Sequence, residues 1–161
     1  MRKTIVLLLL CFLTLTGCKK ELENPICETI TTVERYNEIV REGAETIFEN
    51  YYFIDLRSNS EYKLGYISNF YPSNHIVYQG EESIDLIIEH INKTNTASYT
   101  CAIILLDSGL EEDETSTIVY NALVDKGYLN VKDVTLGYIG LKNEYKTGYP
   151  YSLRDGSDCG C

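Results

Sequence analysis

Basic residues are scarce in this chain of 161 residues, which has 14 Lys and Arg against 24 Asp and Glu and a formal net charge of −10 at pH 7. Proteins bind nucleic acids through clustered Lys and Arg that contact phosphates, so this composition argues against a nucleic-acid partner. Histidine is scarcer still, since His75 and His90 are the two in the sequence. They are far apart and lack partners at metal-ligand spacing, so we expect neither to be catalytic.

Long apolar runs are also lacking. Residues 5–15 are apolar, follow Arg2 and Lys3, and are too few to span a bilayer as a helix. A short apolar run after basic residues is typical of a cleaved signal peptide. The next residues, Leu-Thr-Gly-Cys at 15–18, resemble the lipobox of bacterial lipoproteins, in which cleavage precedes a cysteine that receives diacylglycerol. An ordinary secretory signal with an incidental Cys18 is the alternative interpretation.

The lipobox resemblance implies an anchored protein. Residues 1–17 would be removed, and lipid on Cys18 would hold the chain on an extracytoplasmic membrane face. Lys19 in place of Asp after this cysteine resembles lipoproteins directed to the outer membrane, if the cell has two membranes. Residues 18–27 then form a lipidated cysteine with a polar tether.

Four cysteines remain after one leaves with the signal and Cys18 is consumed by lipid. They are Cys27, Cys101, Cys159 and Cys161. In an oxidising compartment four cysteines allow three complete pairings. Because Cys27 and the Cys-Gly-Cys tail flank the domain, we favour a disulfide that closes its two ends.

Apolar periodicity predicts an alternation of strands and helices. Buried strands are predicted at residues 51–56, 75–78, 101–106 and 131–136. Helices are predicted at residues 31–40, 81–93, 115–126 and 137–145. Such an order implies right-handed crossovers and a mainly parallel central sheet with helices on both faces, so the predicted class is α/β. The length allows one domain with a core of ordinary size.

Several short motifs occur in an order that resembles the rhodanese-like domain family, between residues 28 and 150. Residues 53–57 read Phe-Ile-Asp-Leu-Arg and match a strand that ends in Asp-x-Arg. Glu-Tyr at 61–62 and Gly-Tyr-Ile at 65–67 match the next two motifs, with Tyr in place of the usual His. Gly-Tyr-Pro at 148–150 matches the closing motif. The resemblance implies the rhodanese-like form of the α/β fold and leaves residues 151–161 as a cysteine-containing tail.

The resemblance also implies roles for four residues of these motifs. Asp55 and Arg57 would form a strand-end ion pair or loop hydrogen bonds, and Glu61 and Gly65 belong to the same scaffold. These residues organise the site and do not react.

The loop after the central strand departs from the family. Active members carry a cysteine there, whose thiolate and persulfide are stabilised by backbone N–H groups and a helix N-terminus. Here the loop contains neither Cys nor Arg, and its residues are Asp107, Ser108, Gly109, Leu110, Glu111, Glu112, Asp113 and Glu114. Carboxylates repel anionic sulfur donors and cannot carry sulfane sulfur, so standard sulfur transfer through this loop is chemically excluded.

We therefore expect a membrane-tethered binding or accessory module with a protein partner, and neither a cofactor nor a metal. The loop lacks the alternating Asp or Asn and the glycine of a known calcium loop. A rival interpretation is a thiol-dependent sulfurtransferase or redox enzyme that uses Cys159 or Cys161. A third is a purely structural lipoprotein domain.

Lipid attachment can be tested in cells by replacing Cys18 with Ser. Diacylglycerol is attached through the thiol, so the Cys18→Ser protein should lose labelled palmitate and leave the membrane fraction. Cys27→Ser is the matched control and should keep the label, because Cys27 lies outside the lipobox. Equal labelling of the Cys18→Ser protein and the wild type would contradict the lipobox interpretation.

Overall fold

The computed structural model describes residues 26–45, 51–94, 98–145 and 153–154. Its strands and helices in chain order are β1 (Glu28–Ile30), α1 (Val33–Glu45), β2 (Tyr51–Asp55), α2 (Asn59–Lys63), β3 (Tyr66–Ile67), α3 (Glu81–Thr94), β4 (Ala102–Leu106), α4 (Thr115–Asp125), β5 (Val131–Val134), α5 (Gly137–Tyr145) and β6 (Leu153–Arg154). The predicted signal peptide, Cys18 and the two tail cysteines lie outside the described residues. None of the described helices is long and apolar enough to cross a membrane.

Four strands form a parallel sheet in the order β1-β5-β4-β2. Strand β4 has an interior position, with Ala102 opposite Tyr51 on one side and Ile103 opposite Val131 on the other. All five residues of β4 are apolar and buried, as expected for a strand covered on both faces. The sheet confirms the predicted α/β class and the predicted central strand. Strands β3 and β6 form a separate antiparallel pair.

The side chains of β4 alternate between two apolar layers. Ile104 and Leu106 pack in a cluster with residues of α1 and α5, whereas Ile103 and Leu105 pack with residues of α3 and α4. Successive side chains of a strand point to opposite faces, so one five-residue strand supports both layers. Full burial of an aliphatic side chain contributes about 1.5–3 kcal/mol, and these four are fully buried. The helices cover both faces of the sheet, as predicted.

The segment predicted as a strand at 75–78 is not a regular strand. It makes an isolated parallel bridge between Asp55 and His75, and the Ile76 and Tyr78 amides donate to carbonyls at the end of β2. The 3₁₀ turn Pro72–Asn74 directly precedes this segment, and residues 76–79 form no regular strand. The apolar pattern therefore correctly predicted an extended segment at residues 75–78, but its prediction of a strand there was wrong.

The cap of α1 lies one residue later than the sequence pattern predicts. In the sequence, Thr31 followed by Glu34 three positions later is a capping-box pattern, but in the structure the Arg35 amide lies 3.3 Å from Thr32 Oγ1. Strand β1 continues to Ile30, and the Thr135 amide donates to the Ile30 carbonyl, so the chain cannot enter the helix earlier. Ser58 and Glu61 have the same spacing in the sequence, and at the start of α2 they do form a capping box.

Asp55 and Arg57 form a buried ion pair at the carboxyl end of β2. Arg57 Nη2 lies 2.7 Å from Asp55 Oδ2, and Arg57 Nε lies 3.0 Å from Asp55 Oδ1. The same guanidinium donates to the Gly65 carbonyl at 3.0 Å and lies 3.7 Å from the centre of the Tyr138 ring. Arg57 therefore ties the end of β2 to the α2–β3 turn and to α5.

Replacement of Arg57 with Met should destabilise the fold strongly, because Asp55 would keep a buried and unpaired carboxylate. Loss of one partner of a buried pair costs about 3–5 kcal/mol, which urea unfolding would detect. Arg35→Met is the matched control, because the Arg35 ion pairs are partly exposed and such pairs contribute about 0–1 kcal/mol. Equal losses of unfolding free energy in the two variants would contradict this role of Arg57.

Candidate functional site

The loop that follows β4 lies at the carboxyl edge of the parallel sheet and leads into α4. Ligands of open α/β sheets bind at this edge, because the loops there converge above the strand ends. Asp107 and Ser108 are buried, whereas Leu110, Glu111 and Glu112 are exposed. The loop therefore has a buried base and an exposed rim.

Asp107 anchors the base of the loop to the first turn of α4. Its Oδ1 accepts from the Gly109 amide at 3.0 Å, and its Oδ2 accepts from the Ser116 amide at 3.2 Å and lies 2.8 Å from Ser116 Oγ. Burial raises the pKa of Asp107, and the charge of Asp113 adds to that shift against the opposing hydrogen bonds. Both carboxylate oxygens are thus engaged within the protein.

A second carboxylate, Asp113, closes the loop. It accepts from the Ser108 amide at 3.1 Å and from Ser108 Oγ at 2.5 Å through one oxygen, and from the Thr115 amide at 3.1 Å through the other. Burial alone would raise the pKa of Asp113, but the hydrogen bonds from Ser108 and Thr115 outweigh it, and the pKa is lowered. Asp113 therefore stays ionised and accepts from the amide of Thr115, the first residue of α4, where the helix dipole favours a negative charge.

Two glycines allow the loop to approach α5 closely. Gly109 and Gly137 both have positive φ, of 75° and 57°. A Cβ on Gly137 would overlap the Gly109 backbone, and a Cβ on Gly109 would overlap the Leu136 carbonyl. The amides of Tyr138 and Ile139 donate to the carbonyls of loop residues 107 and 108 in the same region. The position of the loop base is thus fixed by backbone contact.

A cavity of about 520 Å³ opens over the loop rim. It is lined by Glu61, Ser108, Leu110, Glu111, Glu112 and Asp113. Four of these residues are acidic and none is basic, so the cavity favours a cationic group and disfavours an anionic one. Among the described residues no group of three or more His, Cys, Asp or Glu is arranged to hold a metal ion.

The predicted scaffold residues divide into two groups. Glu61 lines the cavity, and its carboxylate also accepts from the Ser58 amide in the α2 capping box. Asp55, Arg57 and Gly65 are joined in the buried cluster below it and do not line the cavity. The Arg57 cation is therefore unavailable to an anionic ligand.

The described cysteines lie at the opposite edge of the sheet. Cys101 precedes β4 and is buried, and this burial raises the pKa of its thiol to about 11. Cys27 precedes β1, and its Sγ lies 3.7 Å from the Tyr128 carbonyl. Neither cysteine is in a disulfide, so the disulfide expected between Cys27 and the tail is not formed in this structure. Neither thiol is near the loop.

The two histidines are engaged in packing and hydrogen bonds. The His75 ring stacks on Tyr62 with centroids 4.0 Å apart, and its Nε2 lies 2.8 Å from the Arg57 carbonyl. His90 Nε2 lies 2.8 Å from Asn74 Oδ1, and burial lowers its pKa. Both histidines therefore contribute to packing and hydrogen bonding within the fold.

Sequence reasoning missed the polar residues that support the loop from below. Ser116 Oγ lies 2.6 Å from Asp133 Oδ1, and Thr117 Oγ1 lies 2.7 Å from Asp133 Oδ2. Asp133 is buried in the middle of β5. A carboxylate inside an otherwise buried strand needs partners, and this signal was present in the Val-Lys-Asp-Val sequence.

Solved structures of similar fold include rhodanese-like domains. The Alr3790 protein from Anabaena sp. is 16% identical, with a TM-score of 0.47 over 71% of this chain and 88% of that chain. The rhodanese-like domain of the same protein, solved by solution NMR, is 17% identical, with a TM-score of 0.47 over 77% and 81%. A full-length protein from Lactobacillus plantarum is 14% identical, with a TM-score of 0.45 over 90% and 95%. No protein-family model matches the chain, and no curated protein matches it.

The contact between the loop and α5 can be tested with Gly137→Ala. The new methyl group would collide with the Gly109 backbone and would occupy a left-handed conformation, so the loop base should shift. We expect losses of about 1–3 kcal/mol from overpacking and about 1–2 kcal/mol from conformation. Hydrogen exchange at residues 108–114 should accelerate.

Gly127→Ala is the matched control, because Gly127 also has positive φ but a Cβ there would meet no atom within 4 Å. It should lose only the conformational part of the free energy and leave loop exchange unchanged. Equal effects of the two substitutions on loop exchange would contradict the proposed contact.

Proposed function

We propose that this protein is a lipid-anchored, rhodanese-like binding module that does not transfer sulfur. The observation that carries the proposal is Asp107, which stands buried at the carboxyl end of the central strand with both oxygens bonded to the loop and α4. The ordered motifs from residue 53 to residue 150 support the rhodanese-like assignment, and the lipobox at Cys18 supports the anchor.

Sulfur transfer at this loop is disfavoured by chemistry and by charge. A carboxylate cannot form a persulfide, and the carboxylates of Glu111, Glu112 and Asp113 would repel thiosulfate or another anionic donor. The thiols of Cys27 and Cys101 belong to the other edge of the sheet, and a pKa raised to about 11 keeps Cys101 protonated.

Binding through the same loop is favoured by the features that disfavour catalysis. The cavity has acidic walls, and Leu110 at its rim is 57% exposed. This combination suits a Lys or Arg side chain flanked by an apolar residue on a partner protein. Attachment to the membrane would confine the module to partners at that surface and raise their effective concentration.

Binding can be measured on the full chain in detergent with short peptides that carry Lys or Arg beside Leu. We expect affinity to fall with added salt and to fall about tenfold, or about 1.4 kcal/mol, when Glu111 and Glu112 are both replaced with Gln. Replacement of Glu81 and Glu82 with Gln makes the same change in net charge away from the cavity and should leave affinity unchanged. Equal affinities of the two double variants would contradict binding at the cavity.

Sulfurtransferase activity with thiosulfate and cyanide should be absent from the full chain. Turnover that survives replacement of Cys27, Cys101, Cys159 and Cys161 with Ser would contradict both the binding module and the rival thiol enzyme. Turnover that is lost on Cys159→Ser or Cys161→Ser would establish the rival and overturn the proposal.

A further inference from the structure

The hydrogen bonds of Ser116 require more protons than the side chains supply in their ordinary ionised forms. Ser116 Oγ lies 2.8 Å from Asp107 Oδ2 and 2.6 Å from Asp133 Oδ1, both at hydrogen-bond distance. A hydroxyl group carries one hydrogen and can donate to only one of them. If both carboxylates were ionised, Ser116 Oγ would donate its hydrogen to one of them. Its contact with the other carboxylate would then be a repulsive oxygen–oxygen contact without a hydrogen.

We propose that Asp107 and Asp133 share one proton through Ser116 at neutral pH. One carboxyl group is then a carboxylic acid whose O–H donates to Ser116 Oγ, and the Ser116 hydroxyl donates to the other, which is ionised. Every contact has its hydrogen, and the pair carries one negative charge in place of two. This inference does not depend on what the loop cavity binds.

The burial of the three residues makes a second charge costly. Asp107, Ser116 and Asp133 are 3%, 1% and 2% exposed, so water cannot stabilise a pair of carboxylates there. The amide of Ser116 lies in the first turn of α4, where the helix dipole favours one negative charge. Burial also raises the pKa of Asp107 from its ordinary value.

The surrounding charges do not compensate a second carboxylate. Asp113 from the loop interacts with Asp107 and Tyr120 from α4 interacts with Asp133, and neither brings a positive charge. In the part of the chain that the structure describes, no Lys, Arg or His makes an ion pair with Asp107 or Asp133. Lys132, the neighbour of Asp133 in β5, binds Glu28 instead.

The shared proton makes the fold less stable as pH rises. An Asp in the unfolded chain has a pKa of about 3.9, so above that pH the folded state holds one more proton than the unfolded state. The free energy of unfolding then falls with increasing pH until the folded pair itself ionises. Ionisation removes a hydrogen from the Ser116 contacts, which join the loop base to α4, so the loop should loosen at alkaline pH.

The proton can be observed directly by NMR of the full chain with ¹³C in the Asp carboxyl carbons. At about pH 7 we expect one carboxyl signal of the pair at the acid position, and Asp133→Asn should abolish it. Ionised signals for both Asp107 and Asp133 at this pH would overturn the proposal.

Asp133→Asn is the informative variant for stability. Its amide nitrogen can donate to Ser116 Oγ, its oxygen can accept from Thr117 Oγ1, and Ser116 can then donate to an ionised Asp107. Every contact is retained without a shared proton. The unfolding constant of the wild type should rise relative to that of the variant by up to about tenfold per pH unit between about pH 5 and the pH at which the pair ionises.

Asp113→Asn is the matched control, because Asp113 is an ordinary ionised acceptor with a lowered pKa. It should destabilise the protein near neutral pH and keep the wild-type decline in stability on the alkaline side. A wild-type decline that persists unchanged in Asp133→Asn would overturn the shared proton. If Asp133→Asn did not fold, the NMR titration of the wild type alone would decide.

Discussion

The complete burial of strand β4 is the constraint on which the rest of the structure depends. A strand covered on both faces has no solvent to satisfy polar groups at its end, so the residues that follow must find partners within the protein. Asp107 is the first of them, and its carboxylate is bonded to the loop and to α4. The loop, the entry to α4 and the middle of β5 are all shaped by that requirement.

This requirement also explains why the candidate site is firm at its base and open at its rim. The side chains of Asp107, Ser108 and Asp113 form hydrogen bonds within the loop and to the start of α4. These bonds fix the conformation of the loop, and few donors or acceptors remain for a ligand. The rim residues Glu111 and Glu112, by contrast, are exposed to solvent. The loop therefore presents a fixed acidic surface on a firmly held base.

Much of the fold could be predicted from the sequence because long periodic segments leave little choice. The helix near residues 81–93 and the central strand formed where the apolar pattern placed them, and a helix also formed at the predicted residues 137–145. The very short strands β3 and β6 could not be predicted, since two residues carry no periodicity. The buried network around Ser116 was missed for a different reason: the buried position of Asp133 signalled a need for partners, but those partners come from the loop after β4 and from α4, which only the tertiary structure brings together.

The back-to-back contact of Gly109 and Gly137 divides the loop into two parts with different freedom to diverge. Residues 107–109 are held against α5 by backbone contact, and a side chain on Gly109 would collide with the Leu136 carbonyl. Residues 110–112 project beyond that contact into solvent. Substitutions at these three exposed positions can therefore change the chemistry of the loop surface while the backbone contacts of the loop base stay as they are, so the surface can diverge faster than the fold.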